Sequence, residues 1–137
     1  MPSLTGVLET SLYVEDLDRA SRFYEETLGL TRIEGDDRFR AYGVAGRSGL
    51  LLFKRGASNR VAGLPEGGLG PHDGRGPLHL AFSFSAEDLP AWEKLLVERG
   101  IAIETRIEWP RGGRSIYFRD PDNHSVELAT PGIWSIY

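Results

Sequence analysis

The chain contains no cysteine. Disulfides, thiolate metal ligands and cysteine nucleophiles are therefore excluded. No apolar run reaches the roughly 18 residues that a membrane-spanning helix needs. The opening stretch, MPSLTGVLET, has neither the basic nor the apolar region of a signal peptide. A cytoplasmic location is the resulting expectation, with no membrane partner. Positive charge is also scarce: 16 Lys and Arg stand against 20 Asp and Glu, for a formal net charge of -4. The arginines are scattered rather than striped, so a nucleic-acid surface is not expected. No low-complexity tract occurs, and 137 residues are enough for a packed core without covalent staples.

What is present is a pattern that occurs twice. In GVLETSLYVEDLDRASRFYEETLGL, Leu8, Leu12 and Val14 alternate with Glu9, Ser11 and Tyr13, the period of a strand. A helix follows, with Asp16 as N-cap, an apolar stripe of Leu17, Ala20, Phe23, Tyr24 and Leu28, and Gly29 as the stop. LTRIEG, FRAYGVA and GLLLFKR are then three short strands separated by turn signals. The second half, from GPLHLAFSFSAEDLPAWEKLLVERGI, again reads strand then helix. Leu78, Leu80, Phe82 and Phe84 form the apolar strand face, and Ser85 or Ala86 the N-cap. Pro90 falls in the first turn, where its missing N–H is harmless. The predicted buried stripe is Trp92, Leu95, Leu96 and Val97, and Gly100 ends the helix. IAIETRIEW, GRSIYFRD and HSVELAT complete a second β-α-β-β-β run.

The expected fold class is α+β, in which two βαβββ modules form a curled, cup-like mixed sheet around a central groove with helices outside. Module one spans about 5–55, a connecting loop about 56–76, module two about 77–131 and a tail 132–137. The loop is rich in glycine and lacks periodicity, the mark of a flexible linker or a functional lid.

Three polar residues stand out against this pattern. Glu9 and His79 each lie on the strand face opposite the one that should pack beneath a helix, and they occupy equivalent places in the repeat. Glu127 interrupts the apolar strand SVELA of the hairpin FRDPDNHSVEL. Strand carboxylates are commonly solvated, and a strand histidine is commonly structural. A pseudo-twofold arrangement would instead bring one imidazole and two carboxylates together, a set suited to a divalent cation.

The two modules, YVEDLDRASRFYEETLGL, HLAF and YFRDPDNHSVEL together resemble the vicinal oxygen chelate superfamily. This group includes glyoxalase I, extradiol dioxygenases, fosfomycin-resistance enzymes, methylmalonyl-CoA epimerase and bleomycin-resistance proteins. The resemblance covers nearly the whole chain. It implies metal ligands at Glu9, His79 and Glu127, and a divalent ion drawn from Mn, Fe, Ni, Zn or Mg. Some members carry a fourth ligand on the last strand of the first half, where this chain has only Leu50, Leu51, Leu52 and Phe53. Glu9 stands where three-ligand members usually have histidine. One imidazole with two carboxylates makes a harder, more anionic site, which favours a Lewis-acid ion over oxygen chemistry.

The activity the resemblance implies is that of a metal-dependent enzyme on a small, oxygen-rich molecule. Lyase or isomerase chemistry through a metal-stabilised enolate leads, with Glu127 and Glu9 as catalytic carboxylates. Ring-cleaving dioxygenase is the alternative enzyme, and a metal-free antibiotic-binding protein the non-enzymatic one. Tyr117 matches a substrate-facing tyrosine of the fosfomycin enzymes, and a homodimer is expected. Ser11, Tyr13 and Ser83 share the polar faces; His124 follows the turn and is expected to be exposed; His72, on the connecting loop, is expected to be solvated. Arg114 is a candidate for neutralising an anion. In the apolar tail, Ile133, Trp134, Ile136 and Tyr137 are expected to cover a core edge or a dimer contact.

Overall fold

A computed structural model describes residues 1–60, 62–64 and 67–137, with no side-chain description for 62–64 and 67. The chain divides into two compact units, Met1–Arg75 and Gly76–Tyr137. No helix among the described residues is long and apolar enough to cross a membrane.

In the first unit, β1 (Glu9–Val14) leads to α1 (Leu17–Arg22), which continues as a single π-helical turn over Phe23–Thr27. Asp16 caps α1 by accepting the Arg19 N–H at 3.0 Å. Gly29, at φ 69°, supplies the left-handed residue that ends it. Three strands follow: β2 (Thr31–Gly35), β3 (Phe39–Val44) and β4 (Ser48–Lys54). The sheet order is β1-β4-β3-β2, with β1 parallel to β4 and the other pairs antiparallel. One face of β1 and β4 carries Leu12, Val14, Leu50 and Leu52, all at most 1 % exposed, and meets Leu17, Ala20 and Tyr24 of the helical segment in the core. Leu8, expected to start that face, precedes the strand and is exposed. The connecting segment contains a short hairpin, β5 (Ala62–Leu64) with β6 (Gly67–Leu69), which sequence periodicity did not reveal.

The second unit repeats the topology. β7 (His79–Ser83), a 3-10 turn over Ala86–Asp88, α2 (Leu89–Glu98), β8 (Thr105–Glu108), β9 (Arg114–Arg119) and β10 (Ser125–Ala129) give the sheet order β7-β10-β9-β8. In α2 the residues at helical spacing from Leu89 set the buried face. Leu89 and Leu96 are its buried residues, Trp92 and Leu95 are half-buried, and Val97, expected in the buried stripe, is 70 % exposed. Pro90 sits in the first turn as expected.

The two registers can be superimposed by number. Glu9 pairs with Gly49 where His79 pairs with Ser125. Two residues further on, Leu51 is therefore the counterpart of Glu127, and Ala41 the counterpart of Tyr117. The absence of a fourth carboxylate thus falls on a definite residue, Leu51.

Candidate metal and substrate site

Glu127 is held on β10 with only 7 % of its surface exposed, so the solvated reading of this carboxylate does not apply. Val126 and Leu128 on either side fill the core, and strand alternation turns Glu127 to the opposite face. A buried carboxylate needs partners, and Glu127 has them. The Ser115 hydroxyl donates to its Oε1 at 2.6 Å, and the Trp109 indole N–H donates to that same hydroxyl oxygen at 2.8 Å. Tyr117, its cross-strand neighbour, hydrogen-bonds to it as well. Burial, together with that bond and the charge of Glu127, pushes the Tyr117 phenol up to about 12.

His79 faces the other carboxylate oxygen, with Nε2 3.2 Å from Glu127 Oε2. Its Nδ1 lies 3.0 Å from the Ser125 carbonyl oxygen. A carbonyl can only accept, so Nδ1 carries a proton. In the neutral ring, Nε2 then presents a lone pair to a carboxylate that is also an acceptor. Two acceptors this close require a shared positive centre, either a second ring proton or a bound cation. A histidine whose distal nitrogen is fixed by a backbone carbonyl is the usual arrangement behind a metal ligand. The donor chemistry of this pair therefore fits a divalent ion. The Tyr117 ring stacks on the imidazole, with centroids 6.1 Å apart and planes at 24°. A cavity of about 300 Å³ opens over His79, Tyr117 and Glu127, and Ser83 and Trp134 also line it.

Glu9 belongs to the first unit, where it is exposed and lines a groove of about 900 Å³ together with Ser11, Tyr13 and His72. Among the described residues, no group of three or more His, Asp or Glu side chains is assembled for a metal. The second unit brings together His79, Glu127 and Tyr117, and Glu9 is placed with its own sheet.

Two histidines differ from expectation. His124 is fully buried rather than exposed. Its Nδ1 accepts the Leu78 N–H at 2.8 Å, tying the entrance of β7 to the hairpin turn. Asp120 Oδ1 holds that turn through the N–H groups of Asp122 and His124, and Asn123 takes the left-handed φ of 65°. His72 is half-buried rather than solvated. Its Nδ1 lies 2.8 Å from the Tyr13 hydroxyl, and its ring meets Phe53 edge-on at 4.5 Å. Arg114 projects an exposed side chain.

The tail turns back on the second sheet. Tyr137 donates from its hydroxyl to the Ala129 carbonyl at 3.1 Å, Ile133 is half-buried, and Trp134 and Ile136 are left 70 % and 92 % exposed. The crossing is tight: a Cβ at Gly113 would lie 2.6 Å from the Gly132 carbonyl carbon. Ser115 and Trp109 were not singled out in the sequence. The signal was there in the alternation of GRSIYF, which puts Ser115 on the same face as Tyr117.

Comparison with known proteins adds lineage to this geometry. The chain is 30% identical over 129 residues to the metallothiol transferase FosB of Staphylococcus epidermidis, covering 93% of this chain and 82% of that protein. A 57-residue stretch is 46% identical to the FosB of Bacillus licheniformis, covering 41% of this chain and only 37% of that one. Among solved structures, the lactoylglutathione lyase of Agrobacterium tumefaciens superimposes with a TM-score of 0.87 at 30% identity, over 98% of this chain and 99% of that one. The family model for the Glyoxalase/Bleomycin resistance protein/Dioxygenase superfamily matches residues 6–128, and the chain belongs to that superfamily.

Proposed function

We propose that the chain is a metal-dependent enzyme acting on a small, oxygen-bearing molecule, with His79, Glu127 and Glu9 as the metal ligands. The observation that carries the proposal is the approach of His79 Nε2 to Glu127 Oε2 at 3.2 Å with Nδ1 committed to Ser125. Glu9 enters through its equivalence to His79 in the strand register, supplied by this chain or by a second copy in a homodimer. When bound, a divalent ion at such a ligand set supplies Lewis acidity toward a substrate oxygen.

The protein's own groups have separate roles. Ser115, backed by Trp109, fixes one oxygen of Glu127 and leaves the other turned to His79. Tyr117 stays protonated at neutral pH, and with its proton committed to Glu127 its hydroxyl oxygen can accept a hydrogen bond from a substrate hydroxyl. Glu9, exposed to solvent, is able to take a proton from a carbon acid and pass it on. Lyase or isomerase chemistry, in which a proton leaves a carbon beside a carbonyl, is the leading class, in keeping with the similarity to a lactoylglutathione lyase. A second reading, addition of a thiol to fosfomycin, is favoured by the similarity across most of the chain to a metallothiol transferase and to a fosfomycin resistance protein.

The test is elemental analysis of the purified protein beside a Glu127→Ala variant, each reloaded with Mn, Fe, Ni, Zn and Mg in turn. About one ion per chain in the native protein, lost in the variant, is the expected result. No ion in either protein after reloading overturns the metal reading. Turnover of methylglyoxal–glutathione hemithioacetal against fosfomycin plus thiol then separates the two activities.

A further inference from the structure

We infer that the groove of the first unit binds a planar aromatic ring bearing an oxygen acceptor, with His72 reading the oxygen. The inference deepens the reading above, because Glu9 lines the same groove, but binding of the ring does not require the metal.

The size fits first. At about 900 Å³ the groove is in the range of small-molecule pockets. Its wall is built from rings in series. Tyr13 and Phe53 lie 6.0 Å apart with planes at 27°, and Phe53 and Phe39 lie 5.8 Å apart at 25°. Phe53 is buried within this series, so the accessible aromatic surface is that of the half-buried Tyr13 and Phe39, which suits a planar ring better than a small tetrahedral anion. The floor is bare where the strands carry glycine. A Cβ at Gly49 would meet the Tyr42 carbonyl oxygen at 3.6 Å and Glu9 Cβ at 3.7 Å, ordinary van der Waals contact, so a side chain there would pack against the groove lining. Strand glycines commonly mark close approach of a ligand.

The polar end is equally specific. His72 is pinned by its own N–H to the Ser58 carbonyl at 2.7 Å, and Asp73 accepts the Gly56 N–H at 3.2 Å. Gly74 lies directly against the Tyr13 ring, which a Cβ there would strike. The segment 72–74 is thus fastened over the aromatic wall. The Tyr13 hydroxyl and His72 Nδ1 share a hydrogen bond at 2.8 Å, and burial together with the charge of Asp73 raises the phenol above the usual tyrosine value. In the tautomer that the inference requires, the phenol donates to Nδ1 and the imidazole proton lies on Nε2, a donor. The Arg38 guanidinium sits 5.4 Å from the Phe39 ring centroid and 5.8 Å from that of Phe53. Two donors against one aromatic wall select an acceptor oxygen on the ring. The carboxylates Glu9 and Glu34 also line the groove, and they favour a cationic ring as the competitor.

The experiment is titration calorimetry of the full chain with 2-naphthol, naphthalene, cyclohexanol, 2-naphthylmethylammonium and fosfomycin. We expect 2-naphthol to bind at least about tenfold more tightly than cyclohexanol, the ammonium probe or fosfomycin. Gly49→Leu, which fills the floor, should weaken 2-naphthol at least about tenfold. His72→Gln should erase the advantage of 2-naphthol over naphthalene and leave naphthalene unchanged, and Glu127→Gln should change neither. Ring-current shifts at the Leu51 and Phe53 amides of the native protein localise the ring independently of any variant's folding. A preference for cyclohexanol or the ammonium probe, or shifts confined to the second unit, overturns the inference. Retained 2-naphthol binding in a protein that takes up no metal would refute the proposed enzyme and leave this inference standing.

Discussion

The two sheets share one topology and one register but are lined by different chemistry. On the face away from the helix, β4 presents Gly49, Leu51 and Phe53, whereas β10 presents Ser125, Glu127 and Ala129. Opposite them, β3 places Ala41 and Phe39 where β9 places Tyr117 and Ser115. On the core face the two strands hardly differ: Leu50 and Leu52 answer Val126 and Leu128, all nearly inaccessible. The backbone is therefore specified by one face of each central strand, and the other face is free to diverge. One unit has acquired a wall of rings, the other a carboxylate with its donors.

The comparison breaks most sharply at Glu127→Leu, which gives the second sheet the residue of the first. Metal content should fall from about one ion per chain to none, read by mass spectrometry. Ser115 and Tyr117 would lose their acceptor, yet the fold should persist, because Leu51 is accommodated at the same register position.

His124→Ala comes next. The counterpart of His124 in the first unit is Ser48, so only the second unit depends on a buried imidazole at this place. Removing it strands the Leu78 N–H and leaves a cavity, for a loss of about 2–4 kcal/mol in urea denaturation.

Trp109→Phe is milder and sharpens the role assigned to Ser115. Losing the indole donor should weaken metal affinity roughly tenfold and leave the thermal midpoint nearly unchanged. A structural role alone would show the reverse.

The smallest effect lies in the first unit. Burial pushes the Glu25 carboxyl up, but hydrogen bonds from Arg32 and Tyr42 outweigh it and hold the group below the usual glutamate range. A depressed carboxyl contributes stability above its unfolded value, and that contribution is lost as pH falls through the folded value. Glu25→Gln should therefore lower stability modestly at neutral pH and converge with the native protein as pH falls below about 4.5, as followed by circular dichroism.

Much of this was legible in the sequence because it is written locally. Alternation in LETSLYV and HSVELA, the cap at Asp16 and the stops at Gly29 and Gly100 act within a few residues of themselves. What escaped depends on distant partners. His124 is buried because β10 runs parallel to β7, which brings the Leu78 N–H to it from 46 residues away. His72 is drawn in by Tyr13, 59 residues earlier in the chain. Val97 was misplaced for a local reason: at 100° per residue, it lies well off the face shared by Leu89, Trp92 and Leu96, so helical spacing itself turns it to solvent. The carboxylate at 127 was visible as an anomaly, whereas its hydroxyl and indole partners were visible only as ordinary strand and loop residues.

The indole of Trp109 has a spectroscopic consequence. All three tryptophans of the chain, Trp92, Trp109 and Trp134, lie in the second unit, so native tryptophan emission carries no direct signal from the first. Trp109 is two hydrogen bonds from the Glu127 carboxylate. An ion held as proposed would draw charge from Glu127 and alter the polarity sensed by that indole, so the unlabelled protein would carry its own optical gauge of site occupancy.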